Sequence, residues 1–107
     1  MKTTHKPLHP GEFLRSEVVE PLGLDYGQVA ILLAVPQRKL TALLQSKIPL
    51  DAEMAWRWEK AFDIGMEGIL RMQVAYDTAK WRSKPPTLGV APYIPPLLKS
   101  QSRALQA

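Results

Sequence analysis

The sequence predicts an all-α fold of five helices followed by a proline-rich C-terminal tail. Three observations carry that expectation. Apolar residues recur at helical spacing in five successive segments, the joins hold proline, glycine or capping residues, and prolines 85, 86, 92, 95 and 96 crowd the chain after Lys84. At 107 residues the chain can bury about one modest core, so a helical unit over 1–84 with an extended or disordered tail over 85–107 is the expected organisation.

The elements follow in order. A first helix starts near His9-Pro10-Gly11 with Phe13, Leu14, Val18 and Val19 on its apolar side, and Pro21 and Gly23 are expected to end it. Asp25 then offers a cap and Gln28 stands three residues on, the arrangement of a capping box for a second helix carrying Val29, Ala30 and Leu33 inward. Pro36 suits the first turn of a third helix, where a missing N–H costs nothing, and Leu40, Leu43 and Leu44 follow before an end near Ser46. Pro49 interrupts the chain, and Asp51 caps a fourth helix through Ala61 with Met54, Ala55, Trp58 and Phe62 facing in. After Asp63-Ile64-Gly65, a fifth helix from about Met66 to Trp81 draws on Ile69, Leu70, Met72, Val74, Ala75 and Tyr76.

Composition narrows the function. With no cysteine there are no disulfides, thiolate metal sites or thiol nucleophiles, and a reducing cytoplasm is compatible. The N-terminal stretch lacks the apolar core of a secretion signal, and no run approaches the roughly 18 apolar residues of a membrane span. A cytoplasmic protein without membrane contact is expected. The formal charge of +4 is unevenly placed: from Tyr26 to Leu50 there is no acid, while Arg38, Lys39 and Lys47 are present. Such a local basic patch fits a nucleic-acid partner or an ordinary solvated face.

What separates those readings is the break at Ala34-Val35-Pro36, which divides one apolar stretch into two short helices. A helix-turn-helix needs that break, because one helix must brace across the DNA backbone while the next lies in the major groove. Ala30 supplies the small side chain at the crossing, Ala34 stands in the turn, and Leu33, Val35, Leu40 and Leu43 close the pair. The turn's left-handed backbone disfavours a Cβ, so Ala34 implies mild strain or a different turn. On this geometry Gln37, Arg38, Thr41 and Ala42 face base edges: Arg38 suits guanine, Gln37 adenine, and Ala42 or the Thr41 methyl a thymine methyl. Gln28, Lys39 and Lys47 are placed for phosphates. The plainer alternative is an exposed face in a small helical bundle.

The segments "HPGEFLRSEVVEPLGL" and "AWRWEKAFDIGMEGILRMQVAYDTAK" resemble the opening signature and closing helices of HigA/VapI-type antitoxins in the Xre/Cro, lambda-repressor-like, helix-turn-helix superfamily. The resemblance covers roughly His5 to Lys84. It implies a dimeric repressor of its own promoter that binds a double-stranded DNA operator. It also implies sequestration of an mRNA-cleaving toxin encoded alongside. Stand-alone Xre regulators share the architecture, so a regulator without a toxin is the neighbouring reading. Ala34 and Ser46 stand where the family often has glycine, Asp63 replaces a glycine before the last helix, and Ile69 replaces a frequent tryptophan. Ile31 and Leu32 occupy outward positions that the family gives to charged or small residues; packing against the first helix or the tail is expected, with a protein contact as the alternative.

Other classes find less support. His5 and His9 are the only histidines, Pro7 between them opposes a helical metal pair, and two ligands leave a site incomplete, so no metal, cofactor or catalytic group is expected. His9 is expected to be structural. The carboxylates Glu17 with Glu20 and Glu53 with Asp63 read as surface charges rather than acid/base partners. A pure protein-interaction module is the main rival, because Trp56 and Trp81 could anchor a partner whereas Trp58 is spaced for the core.

Overall fold

Each helix begins where a side chain or a proline can close its first turn. The computed structural model describes residues 6–97, so His5 and the tail beyond Leu97 lie outside the described residues. Helix α1 (residues 10–22) is built from three consecutive pieces, Pro10–Leu14, Arg15–Val19 and Glu20–Leu22. Its cap is His9, whose Nδ1 accepts the Gly11 N–H at 2.9 Å.

Pro21 does not end α1 as expected. The middle piece widens into a π turn, with the Glu20 N–H donated to the Arg15 carbonyl. In a regular α-helix the Pro21 ring would press on the Glu17 carbonyl, which would also lack its donor; the wider turn relieves this conflict. The helix stops at Gly23, the other expected stop, in the left-handed region with φ 69°.

Helix α2 (Tyr26–Leu33) has both halves of the expected capping box: Asp25 Oδ1 accepts the Gln28 N–H at 2.8 Å, and Gln28 Oε1 accepts the Asp25 N–H at 2.9 Å. Helix α3 (Gln37–Leu44) begins one residue after Pro36, whose carbonyl accepts N–H bonds from Lys39 and Leu40. Pro36 is therefore the cap and not a member of the first turn. The helix ends before Ser46, which turns the chain with φ 61°. Helix α4 (Ala52–Phe62) is capped by Asp51, which accepts the Met54 N–H at 2.9 Å. Helix α5 (Met66–Ser83) runs two residues past its expected end, and Glu59 of α4 accepts its first N–H, from Met66, at 2.9 Å.

The core collects the apolar faces these starts define. Leu14, Val29, Leu33, Leu40, Leu43, Leu44 and Trp58 are buried, with Trp58 against Phe62 at a ring separation of 5.2 Å. Burying each large apolar side chain contributes about 1.5–3 kcal/mol. Gly11 brings α1 against the end of α3 so closely that a Cβ there would stand 1.8 Å from the Leu43 carbonyl oxygen. On α5 the apolar roster needs correction. Val74 and Ala75 are exposed, while Gln73 is buried and joins two elements: its Oε1 accepts the Leu50 N–H at 2.7 Å and its Nε2 donates to Asp77 at 3.0 Å. From Pro85 to Pro95 the chain carries neither helix nor strand. No described helix is long and apolar enough to cross a membrane.

His9 ties this arrangement to pH. It is buried, edge-on to Tyr76 at 4.9 Å, and burial pushes its imidazole below the ordinary 6.5, against the opposing effects of Asp77, the Ile48 backbone and Glu12. The unfolded chain then binds the proton more readily. Stability from the neutral ring is complete above pH 6.5 and declines as pH falls through the folded-state value. Urea unfolding at pH 7.5 and 5.5, a window above carboxylate titration, is expected to show lower stability at the acid end. His9→Asn keeps a cap acceptor but cannot titrate, and is expected to flatten that difference. A slope unchanged by the substitution would remove His9 as its source.

Candidate nucleic-acid interface

The break between α2 and α3 is a tight left-handed turn. Ala34 adopts φ 58° and ψ 46°, its N–H returning to the Ile31 carbonyl, and the Val35 N–H reaches the Ala30 carbonyl at 3.1 Å. Of the two expectations for Ala34, strain is therefore the one realised. Ala30, Leu33, Leu40 and Leu43 are buried where the pair closes, and Val35 packs against them.

The packing leaves the other side of α3 outward. Gln37, Arg38 and Lys39 are exposed, and Thr41 and Ala42 are half-buried. Gln37, Arg38, Thr41 and Ala42 line one shallow depression with Lys47, so the fold brings together all four expected base-facing positions and one expected phosphate position. Gln45 completes that lining and was not singled out from sequence. It lies four residues after Thr41, the spacing that puts two side chains on one helical face. Lys39 lies outside the depression.

Gln28 is exposed at the start of α2, and its neighbour Gly27 lies beside this face: the position a Cβ on Gly27 would take is 3.4 Å from Gln37 Oε1. The Gln28 Oε1 is taken by the Asp25 N–H, while its Nε2 makes no hydrogen bond among the described residues. That amide offers a hydrogen-bond donor at this edge, beside the Asp25 carboxylate that accepts the Gln28 N–H.

Two residues depart from expectation. Ile31 and Leu32 do not pack against α1 or the described tail; they are 80% and 56% exposed. Both follow Gln28 by about one turn, so they extend outward along the same side of α2. Trp56 and Trp81 are likewise half-exposed, and Lys60 lies over the Trp56 ring at 5.6 Å.

Metal chemistry has little to work with. His9 Nδ1 is committed as an acceptor at the cap, and among the described residues no group of three His, Asp or Glu side chains is arranged to hold a metal ion.

Buried closing residues, a left-handed turn and an exposed, acid-free second helix define a helix-turn-helix module. No family model matches the chain. It is 38% identical over 76 residues to the HTH-type transcriptional regulator YbaQ of Escherichia coli, covering 71% of this chain and 67% of that one. A HigA-family addiction-module antidote protein from Coxiella burnetii superposes with a TM-score of 0.64 at 31% identity, over 83% of this chain and all of its own. PA4674 of Pseudomonas aeruginosa, solved with a 28-bp operator DNA, gives 0.69 at 26% identity over 72% of this chain and 85% of its own. The chain belongs to the Xre-like helix-turn-helix family that includes HTH-type regulators and the VapI/HigA antitoxins. Its named relatives are regulators and antidotes, not enzymes.

Proposed function

We propose that the protein is a sequence-specific transcriptional repressor that reads an operator with α3, and that it is the antitoxin of a HigBA-like pair. One observation carries the DNA-binding reading: the fold buries Leu40, Leu43 and Leu44 of α3 while presenting Gln37, Arg38, Thr41 and Ala42 beside Lys47 on one acid-free face. Arg38 and Gln37 supply bidentate donors and acceptors for purine edges, and Gln28, Lys39 and Lys47 supply phosphate contacts. The related operator complex supports the same use of this fold.

A homodimer built on α5 fits the reading. Val74 and Trp81, two turns apart on one face of that helix, are 64% and 53% exposed and give it two outward apolar side chains, with Asp77 and Thr78 between them. Two copies joined there would place their α3 helices on successive major grooves, about 34 Å apart. The toxin assignment rests on the likeness to the HigA-family antidote. The exposed Ile31 and Leu32 favour a protein contact as well.

The test is binding of the full chain to DNA upstream of its own gene, measured by fluorescence anisotropy across a salt series. A preferred site with paired half-sites is expected. Arg38→Ala should relax preference at one base pair, costing about 1–3 kcal/mol there. Lys47→Ala should weaken every sequence alike and reduce the salt slope by about one unit. If no site is preferred at low salt, the repressor reading fails and an interaction module replaces it.

A further inference from the structure

The turn that presents α3 lacks a donor it would ordinarily have. After Leu33 the chain reverses through Ala34 and Val35 to Pro36, the residue whose N–H would close a β-turn onto the Leu33 carbonyl; proline has none. The Leu33 carbonyl accordingly accepts no backbone N–H in any turn or cap bond among the described residues, and the Ala34 carbonyl accepts none there either. These are also the C-terminal carbonyls of α2, where partial negative charge gathers. The turn is further burdened by the Cβ of Ala34 at φ 58°.

A side chain from outside the helix-turn-helix fills the gap. Arg57, on α4, donates from Nη1 to the Leu33 carbonyl at 3.0 Å and to the Ala34 carbonyl at 3.2 Å. Its other edge is fixed by Glu53, one turn earlier, whose Oε2 accepts from Nε at 3.2 Å and from Nη2 at 2.8 Å. The guanidinium is planar, so anchoring one edge on Glu53 aims the other, and the aim is at the two orphan carbonyls. Lysine has the charge but not the fork.

We propose that Arg57 is a positioning residue for DNA recognition: it supplies the Leu33 hydrogen bond that Pro36 cannot, ties down the Ala34 carbonyl beside it, and so fixes the angle at which α3 leaves the turn. This rests on the proposed role of the α3 face. Arg57 itself need not touch DNA. Its effect is conveyed through the carbonyls on either side of the Ala34 hinge.

The experiment compares the wild-type full chain with Glu53→Ala/Arg57→Ala, a pair that leaves net charge unchanged, and with Arg57→Lys. Residual dipolar couplings report the orientation of α3 relative to α2 without DNA. In the double variant, α3 is expected to lose its single fixed orientation while the α4 and α5 couplings stay as in the wild type; Arg57→Lys should fall between. On DNA, the ratio of preferred-site to random-sequence affinity should drop about tenfold, with random-sequence binding nearly unchanged. Couplings that still fit one rigid body in the wild-type orientation would overturn the proposal, whether or not any operator is found. A chain that binds no preferred site yet shows the reorientation would instead retire the DNA reading and leave Arg57's hold on the turn in place. Should the double variant not fold, Arg57→Lys carries the same comparison, and wild-type couplings and affinity ratio in it would refute the fork argument.

Discussion

Gly11→Ala is expected to cost about 3 kcal/mol of folding stability, a large share of what a domain this size holds. The added methyl would meet the Leu43 carbonyl oxygen at 1.8 Å and its carbon at 2.8 Å. Both are backbone atoms of the last turn of α3, so no side chain can swing aside; α1 or α3 must move as a body. Space is short on the near side too, with His9 Nδ1 at 3.1 Å from the same point. Because α3 is the helix that bears the outward polar face, DNA binding should fall along with stability. Urea denaturation monitored by tryptophan fluorescence measures the first effect and anisotropy the second. A loss of under about 1 kcal/mol would show that the two helices part easily, contrary to the contact described.

The opposite result is expected from Ala34→Gly, Ser46→Gly and Asp63→Gly combined. All three residues sit in the left-handed region, with φ of 58°, 61° and 58°. There a Cβ crowds the following carbonyl at a cost of about 1–2 kcal/mol, partly offset by the larger entropy that glycine loses on folding. A net gain of about 1 kcal/mol per site is anticipated, least at Asp63 because aspartate tolerates this conformation. The sites terminate different helices, so the gains should add to about 2–3 kcal/mol and raise the melting temperature by roughly 10–20 °C. Calorimetry decides it. If melting is unmoved or lowered, these backbone positions are less strained than their angles imply.

Those same three positions show what the chain discloses without coordinates. Ala34 is legible from the left-handed turn that a helix-turn-helix needs, whereas Ser46 and Asp63 stand out only through the resemblance to a family that often has glycine there; all three bend the backbone as glycine would. Local chemistry of this kind is readable because it spans few residues. The Asp25/Gln28 cap and the burial of Leu40, Leu43 and Leu44 were legible for the same reason, as was the outward set from Gln37 to Ala42. Pro21 misled because proline's effect depends on the turn around it: a π turn can carry the ring, and nothing in a list of propensities signals one.

Contacts across the fold were hidden. Gln73 looks like a surface residue until Leu50, 23 residues away, offers an N–H that must be satisfied inside. Arg57 reads as one more exposed charge on α4 until the missing donor of Pro36 is set beside it. Ile31 and Leu32 were expected to be covered because apolar side chains usually are; here no element of the described chain passes over them.

The cap of α2 has one more implication. A glutamine amide ordinarily offers a choice of ends to whatever approaches, since a half-turn of its terminal group exchanges oxygen for nitrogen. Gln28 has no such choice, because its oxygen is held by the Asp25 N–H. Only the nitrogen end is left toward solvent, so the Gln28 side chain presents a donor, while the exposed Asp25 carboxylate of the same cap presents the acceptor beside it: the reciprocal bonds that start the helix also decide which end of each side chain faces outward.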